Sequence, residues 1–289
     1  MPNPYIDLHT HTIRSDGRLS PHDLVFNAYN AGIRILSITD HNFTEDLSSL
    51  RKEFPEMNLI QGSEISALYH DMRGKEHELH VVALGFDRNN PKMQHLLEKN
   101  QPDRRPKIEK ILAKLRDCGI DLGSYEDIAL RRPESTYIGR MALARCMFED
   151  GYVSSVDQAF NLYLGAHGER RAYVASNLQY ATLEEVVATI IECGGIPVLA
   201  HILYYKMDDA ENVRLVKRFK ELSGKFGAME VYYSRYNDEQ RQYCKSLCEA
   251  YNLMPSASSD YHAQENWETL ANAFPASLCI DLLRNLTRG

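Results

Sequence analysis

Apolar and polar residues alternate near the start of the chain: Tyr5-Ile6-Asp7-Leu8-His9-Thr10-His11-Thr12 has the period of two that marks a β-strand. Successive strand side chains point to opposite faces, so His9 and His11 project together while Ile6 and Leu8 go the other way. The pattern then turns helical. Ser20-Pro21-His22-Asp23 supplies an N-cap, a proline at the first helical position and an acidic first turn, and Gly32 closes the helix just before the apolar run of Ile33, Ile35 and Leu36. This is a βαβ unit. A second begins with Thr182-Leu183-Glu184-Glu185, a capping box; its helix runs to Cys193, Gly194-Gly195 stops it, and Ile196 to Ala200 forms a strand. A helix from Ala210 to Leu222 then leads to the strand Ala228 to Tyr232, and a helix from Asn237 to Tyr251 leads to the strand ending at Asp260. Such alternation of strand and helix predicts a parallel sheet or barrel.

The middle of the chain breaks this rhythm. From about Asn90 to Arg171 there are helical patterns and turns but no convincing strand. Ile108, Ile111, Leu112 and Leu115 lie at helical spacing before Gly119, Ser124 caps a short helix, and further helices are expected over Gly139 to Asp150 and Val156 to Leu164. The expected organisation is a barrel from residues 1–90 and 172–289, carrying the functional site, with a helical insertion over 91–171 covering it. The competing reading makes these helices ordinary crossovers of one barrel.

Composition narrows the function classes. At 289 residues, 44% hydrophobic and 25% charged, the chain can bury one large α/β core without a partner, so no obligate protein partner is implied. A formal charge of −7 argues against a broad nucleic-acid-binding face, although bound cations would reverse the sign locally. The six cysteines are scattered without a CxxC pair and read as reduced thiols. No apolar stretch of some 18 residues suggests a membrane span, and no basic-then-apolar leader precedes the first strand, so a soluble, cytoplasmic protein is expected.

The candidate chemistry lies at strand ends. A single HxH is weak, because strand histidines are more often hydrogen-bonded than ligating. Here, however, Thr39-Asp40-His41 ends the second strand, Gly62-Ser63-Glu64 the third, Ala200-His201 a later one and Ser258-Ser259-Asp260 the last, while His80 opens the Val81-Val82-Ala83-Leu84 run and Asp260-Tyr261-His262 repeats the histidine spacing. In a barrel of parallel strands such ends converge on one face, where active sites are built.

Asp7-Leu8-His9-Thr10-His11 with Ser15-Asp16-Gly17, Thr39-Asp40-His41, Gly62-Ser63-Glu64, His80 through Gly85, Ala200-His201 and Ser258-Ser259-Asp260-Tyr261-His262 together resemble the PHP (polymerase and histidinol phosphatase) family of metal-dependent phosphoesterases. Within it, the helical insertion and Glu230-Val231-Tyr232-Tyr233 look most like the branch that acts on nucleoside monophosphates and 3′,5′-bisphosphonucleotides or trims RNA from its 5′ end. The resemblance implies a distorted (β/α)7 TIM-like barrel holding two to three divalent metal ions. It gives a first ion to His9, His11, Glu64 and Asp260, a second to Glu64, His80 and His201, and a third to Asp16, His41 and His262. Imidazoles and carboxylates without cysteine suit Mn²⁺, Fe²⁺ or Zn²⁺. The implied reaction is in-line attack of a metal-bound hydroxide on phosphorus, with Glu64, Asp16 and His262 as the catalytic groups. Asp7 and Asp40 stand beside ligands, either orienting an imidazole or serving as strand-end hydrogen-bonding residues.

Substrate contacts are read less directly. Arg140 matches an arginine that related nucleotidases carry in Arg-Pro-His, here followed by Met141 and Ala142 instead. Ile202-Leu203-Tyr204-Tyr205-Lys206 departs from the family's Pro-Gly-Arg-Tyr and leaves Lys206 as the replacement phosphate contact. Arg104, with Arg105 and Lys107, would meet a second phosphate or form a solvated basic helix start. Tyr232, Tyr233 and Tyr236 would stack on a base or simply pack. His77 rivals His80, which is preferred for its matching Val-Val-Ala-Leu-Gly. The expected substrate is a small phosphorylated molecule, a nucleotide phosphomonoester first, with a 5′-to-3′ exoribonuclease on short RNA, histidinol phosphate and a non-catalytic metal-binding module as alternatives. An amidohydrolase-like site also opens with HxH but typically adds a lysine between its metals, and no strand here ends in one.

Overall fold

The computed structural model describes residues 4–101, 105–133, 138–165, 169–174, 180–263 and 273–286. The chain divides into two compact units, one of residues 1–12, 17–100 and 180–289, the other of 13–16 and 101–179. The division falls at 100/101 and 179/180 rather than at the expected 90/91 and 171/172. The reason at the first boundary is a helix, Pro91–Lys99, whose Met93, Leu96 and Leu97 are buried in the core of the first unit.

In that unit the strands are β1 (Tyr5–Thr10), β2 (Ile33–Ile38), β3 (Asn58–His70), β4 (Glu76–Leu84), β5 (Ile196–Leu199), β6 (Ala228–Tyr233), β7 (Met254–Ser258) and the two-residue β8 (Phe274–Pro275). They form one sheet in the order β7-β6-β5-β4-β3-β2-β1-β8. Past the end of β7 the chain turns back onto β1: Asp260 N–H donates to the His9 carbonyl at 2.9 Å, His11 N–H donates to the Tyr261 carbonyl at 2.8 Å, and Thr10 pairs with Tyr261 in parallel. The sheet is thus a nearly closed barrel.

The strands are not all parallel. β4 runs antiparallel to both β3 and β5. A helical crossover is replaced there by a tight turn, in which Asp71 Oδ1 accepts from the N–H groups of Arg73 (2.8 Å) and Lys75 (2.9 Å) and Gly74 takes φ +76°. An antiparallel strand reaches the C-terminal end of its parallel neighbours only near its own beginning. His80, the fifth of the nine residues of β4, lies opposite Ser66 of β3.

The flanking helices start where local chemistry says they should. The helix Pro21–Asn30 is capped by Ser20, Pro91–Lys99 by Asn90, Leu183–Glu192 by Thr182, Asp209–Ser223 by Asp208 and Asp238–Ala250 by Asn237, each side chain accepting a first-turn N–H. Ile65, Leu79, Val81, Val187, Ile190, Phe219, Met229 and Val231 bury the outer faces of the strands against these helices. On the inner side, Ile60, Val82, Leu84, Val198, Ala228 and Met254 gather with Leu282 of the C-terminal helix Ile280–Leu286. Ile60 and Glu64 share a strand face four residues apart, so this apolar floor lies below the polar strand ends.

The second unit has its own core. Its helices Arg105–Asp117, Tyr125–Arg131, Arg140–Glu149 and Val156–Ala159, the last running into a π-helical turn at Phe160–Leu164, bury Ile108, Ile111, Leu115, Ile128, Leu143 and Met147 together. Among the described residues it contains no strand, and across the whole description no helix is long and apolar enough to cross a membrane.

Gly62 shows how tightly the strand beneath Glu64 is packed. A Cβ there would lie 2.2 Å from Ser37 Oγ and 2.8 Å from the Ile38 carbonyl oxygen. Gly62→Ala is therefore expected to lower unfolding free energy by about 2 kcal/mol, the range of an overpacked core. Urea denaturation checks this, and an unchanged midpoint would mean that β2 and β3 separate at little cost.

Candidate metal centre

Eight of the nine expected ligands, all but Asp16, belong to the first unit. At their centre is Glu64, a carboxylate almost wholly removed from water. Its Oε1 lies 3.3 Å from His9 Nε2, 2.8 Å from His80 Nδ1 and 3.0 Å from His201 Nε2; its Oε2 lies 2.9 Å from His41 Nδ1 and 3.3 Å from His11 Nε2. Five imidazoles from four strands or strand ends thus surround one side chain. Asp260 Oδ1 completes the inner group, 3.5 Å from His9 Nε2 and 3.2 Å from His11 Nε2. Potential ligand atoms fall within 4.8 Å of one another in the sets His9, His11 and Asp260; His9, Glu64 and His201; His41, Glu64 and His80; and His11, His41 and His262.

These contacts follow from strand parity and from unusual backbone. His9 and His11 project together because they are two apart. His201 (φ +27°) and Asp260 (φ +54°) sit just past β5 and β7 in the left-handed region, which non-glycine residues seldom occupy and which recurs at functional sites. His77 lies three residues from His80, on the opposite strand face, and its Nε2 is 2.9 Å from Asp71 Oδ2 in the hairpin.

The donor set fits cations better than it fits itself. His9 Nδ1 is bonded to Glu230 Oε1 at 2.8 Å, which leaves Nε2 to face His11 Nε2 at 3.0 Å with carboxylate oxygens close by. Two ring nitrogens and two carboxylates pointing at one small volume require positive charge between them. Among the described residues, buried His201 Nδ1 has no hydrogen-bond partner, and Glu64 Oε2 is near two imidazoles without hydrogen-bond alignment to either. His262 Nδ1 donates to the Asp260 carbonyl at 2.8 Å, which fixes the ring tautomer.

Electrostatics agree. Burial pushes every group here toward its neutral form, yet mutual charge prevails: His80, His9 and His41 hold Glu64 well below the usual carboxylate range, and His9 and His262 do so for Asp260. Against the same burial, Glu64, Asp260 and Glu230 raise His9 well above the ordinary imidazole value, and Glu64 raises His80 to about 9. Without cations the site therefore holds protons, and cation uptake would displace them.

Asp7, Asp40 and the tyrosines follow the strand-end and packing alternatives among their two expected roles. Asp7, pushed up to about 6 by burial, accepts from Ser259 N–H (2.9 Å) and Ser259 Oγ (2.5 Å) and so ties β1 to the chain after β7. Asp40 accepts from Thr12 N–H (2.8 Å) and Thr12 Oγ1 (2.7 Å). Both contacts are of the strand-end kind. The carboxylate that meets an imidazole from behind is Glu230, whose sequence signals are its place in Glu230-Val231-Tyr232-Tyr233 and its position as a lone acid within the apolar run of β6. Tyr233 and Tyr236 are buried and so meet no base; Tyr233 Oη donates to Asp260 Oδ2 at 2.7 Å, and Tyr232 packs on Phe274. The exposed ring is Tyr204, 50% accessible, with its centroid 6.0 Å from that of His201.

Of the expected substrate contacts, Lys206 is exposed at the end of the 3₁₀ turn Ile202–Tyr205 that follows His201. Arg140 opens a helix of the second unit, donates to the Leu164 carbonyl at 3.2 Å and faces the Phe160 and Tyr173 rings. Asp16 also belongs to the second unit, and Arg104 lies outside the described residues.

No model of a known protein family matches the chain. The chain is 33% identical over 263 residues to a 5′-3′ exoribonuclease of Haemophilus influenzae, covering 90% of this chain and 91% of that one. It is 28% identical over 263 residues to a 3′,5′-nucleoside bisphosphate phosphatase of Chromobacterium violaceum, covering 89% and 87%. Among solved structures, a C. violaceum protein described as an amidohydrolase with bound sulfate and no metal superposes with a TM-score of 0.83 at 27% identity, over 98% of this chain and 96% of that one.

Tyr233→Phe removes one hydrogen bond from Asp260 while keeping the buried ring. It is expected to weaken Mn²⁺ binding about tenfold, as loss of a ligand's supporting bond does, with unfolding free energy lowered by about 1 kcal/mol. Calorimetric titration with Mn²⁺ decides it, and an unaltered Kd would show that Asp260 needs no such support.

Proposed function

Because the chain belongs to the PHP family of metal-dependent phosphoesterases, and so to the hydrolases of phosphoester bonds, we propose that it hydrolyses a phosphomonoester of a nucleotide or a 3′,5′-bisphosphonucleotide at a cluster of two to three divalent ions. The observation that carries this reading is Glu64, ringed by five imidazoles and flanked by Asp260. The sulfate held by the C. violaceum neighbour, an oxyanion shaped like phosphate, supports it. We take the barrel as the family's distorted (β/α)7 form, with the helical unit as its insertion.

His9, His11, Glu64 and Asp260 would hold one ion, Glu64, His80 and His201 a second, and Asp16, His41 and His262 a third, of Mn²⁺, Fe²⁺ or Zn²⁺. Bound there, the ions would supply Lewis acidity toward phosphoryl oxygens and lower the pKa of water toward neutrality. The chain's own groups do the rest. Glu64 serves two of these sets and so fixes their separation. His262, its tautomer set by the Asp260 carbonyl, would with Asp16 assist the departing ribose oxygen. His41 and His80, whose side chains are 20% and 23% exposed against 1% or less for His9, His11 and Glu64, mark the side from which substrate enters. Lys206 and Arg140 would grip phosphate, Arg140 in the forked geometry of a guanidinium, and Arg104 would meet a second phosphate. Tyr204, edge-on to His201 and half exposed, is placed to stack on a base.

A second reading, 5′-to-3′ removal of nucleotides from short RNA, is favoured by the 33% identical relative that carries that name. Both readings use the same cage and differ in what lies beyond the scissile phosphate.

Purified protein with Mn²⁺ should release phosphate from nucleotides or bisphosphonucleotides, and His9→Ala or Asp260→Ala should lower the rate by about 10³-fold or more, as loss of metal assistance implies. Metal uptake without turnover on a broad phosphoester panel would restore the non-catalytic alternative. Mononucleotide release from a 5′-phosphorylated oligomer selects the second reading, and inactivity on every oligomer removes it. Tyr204→Ala should raise KM for nucleotides about tenfold, the lower range of a base–aromatic stack, while leaving KM for ribose 5-phosphate unchanged; equal effects on both substrates would count against a stacking role.

A further inference from the structure

Glu230 lies in the middle of β6 and is 1% exposed, yet it is not among the expected ligands. Its two oxygens receive three hydrogen bonds from three different parts of the barrel. Oε1 is 2.8 Å from His9 Nδ1 on β1 and accepts from Ser258 Oγ at 2.7 Å on β7; Oε2 accepts from the backbone N–H of His201 at 2.7 Å, just past β5. With both oxygens already accepting, the proton of the His9 contact belongs to Nδ1. When Nε2 gives up its own proton, its lone pair faces Glu64, Asp260 and His11.

The bond to His201 has a separate effect. His201 holds its ring near Glu64 only by adopting φ +27°, and a buried N–H there without an acceptor would add a desolvation cost to the strain. The same carboxylate thus sets the tautomer of one ligand and the backbone of another. Both belong to one side of the cage, in the sets His9, His11, Asp260 and His9, Glu64, His201. The set that contains His11, His41 and His262 includes neither residue bonded to Glu230.

We infer that Glu230 is a positioning residue that organises the His9 and His201 side of the metal centre as a unit, leaving the set that contains His41 and His262 independent. An amide in its place cannot serve all three donors. If its oxygen keeps His9, its NH₂ opposes the His201 N–H; if its NH₂ faces His9, the imidazole shifts its proton to Nε2 and aims it into the cage. The inference rests on the metal-centre reading given above, and its test separates the two.

Stepwise calorimetric titration of the metal-free full chain with Mn²⁺ should show wild type and Glu230→Gln sharing one class of site at unchanged affinity. The remaining sites should be 10- to 100-fold weaker in the variant, the usual effect of losing a histidine's outer partner. Ser258→Ala, which removes a bond to the same oxygen but spares His9, should change every class less than about threefold, well below that effect. In Zn²⁺-loaded wild type, long-range ¹H–¹⁵N spectra should report His9 with a protonated Nδ1 and a metal-bound Nε2. Equal affinities in wild type and Glu230→Gln, a uniform loss at all sites, or an unprotonated Nδ1 would each overturn the inference, and the spectra decide the matter even if the variant folds poorly. Failure of wild type to bind any divalent ion would instead sink the metal-centre reading itself.

Discussion

A carboxylate cannot be stripped of water without being given something in return, and Glu64 is stripped almost completely. What it receives is five imidazole nitrogens, none further than 3.3 Å, drawn from β1, β4 and the segments after β2 and β5. That demand for positive charge explains why histidines collect at one end of the barrel while the other end is filled by aliphatic side chains. It also explains why protons occupy the site in the absence of cations, since burial alone would have neutralised both partners. A structural ion pair would need one partner; five are an arrangement for binding cations.

Holding so many ligands in one small volume takes a rigid frame, and the frame is built from bonds that never touch the cage interior. Asp7 fastens β1 to Ser259, Asp40 fastens the end of β2 to Thr12, and the parallel bridge from Thr10 to Tyr261 draws the first and last strands together. His201 and Asp260 hold backbone conformations that cost free energy wherever they occur. Their positions are over-determined by neighbours: Glu230 on the first, Tyr233 and the His9 carbonyl on the second. Strain of this kind is tolerated because a ligand displaced by even an ångström contributes little to a metal site.

The segment after His201 differs from the Pro-Gly-Arg-Tyr that the family resemblance implies. The Ile202-Leu203-Tyr204-Tyr205-Lys206 segment puts a tyrosine hydroxyl, Tyr205 Oη, between the backbones of His80 and Ala200, and leaves an adjacent aromatic ring and an ammonium group exposed. Side chains that select a substrate can therefore change while the cage beneath them stays the same. This is the usual division in barrels, whose strands hold the chemistry and whose connecting segments choose the substrate.

Much of this was readable from residue order alone, because it depends on local rules. The alternation in Tyr5 to Thr12 makes His9 and His11 neighbours, Ser20, Thr182 and Asn237 mark helix starts, and ligand-type residues at successive strand ends imply a common face. Other features have no local signature. The antiparallel course of β4 depends on a turn at Asp71 that resembles any other polar loop, and the grouping of Pro91–Lys99 with the barrel depends on what Met93 and Leu96 find to pack against. Tyr233 and Tyr236 look available for stacking until burial is known, and Glu230 looks like a stray acid until β1, β5 and β7 bring three donors to it. Periodicity and capping act over a few residues, so a sequence states them openly; partners 28 to 221 positions apart exist only once the barrel closes and sets its register.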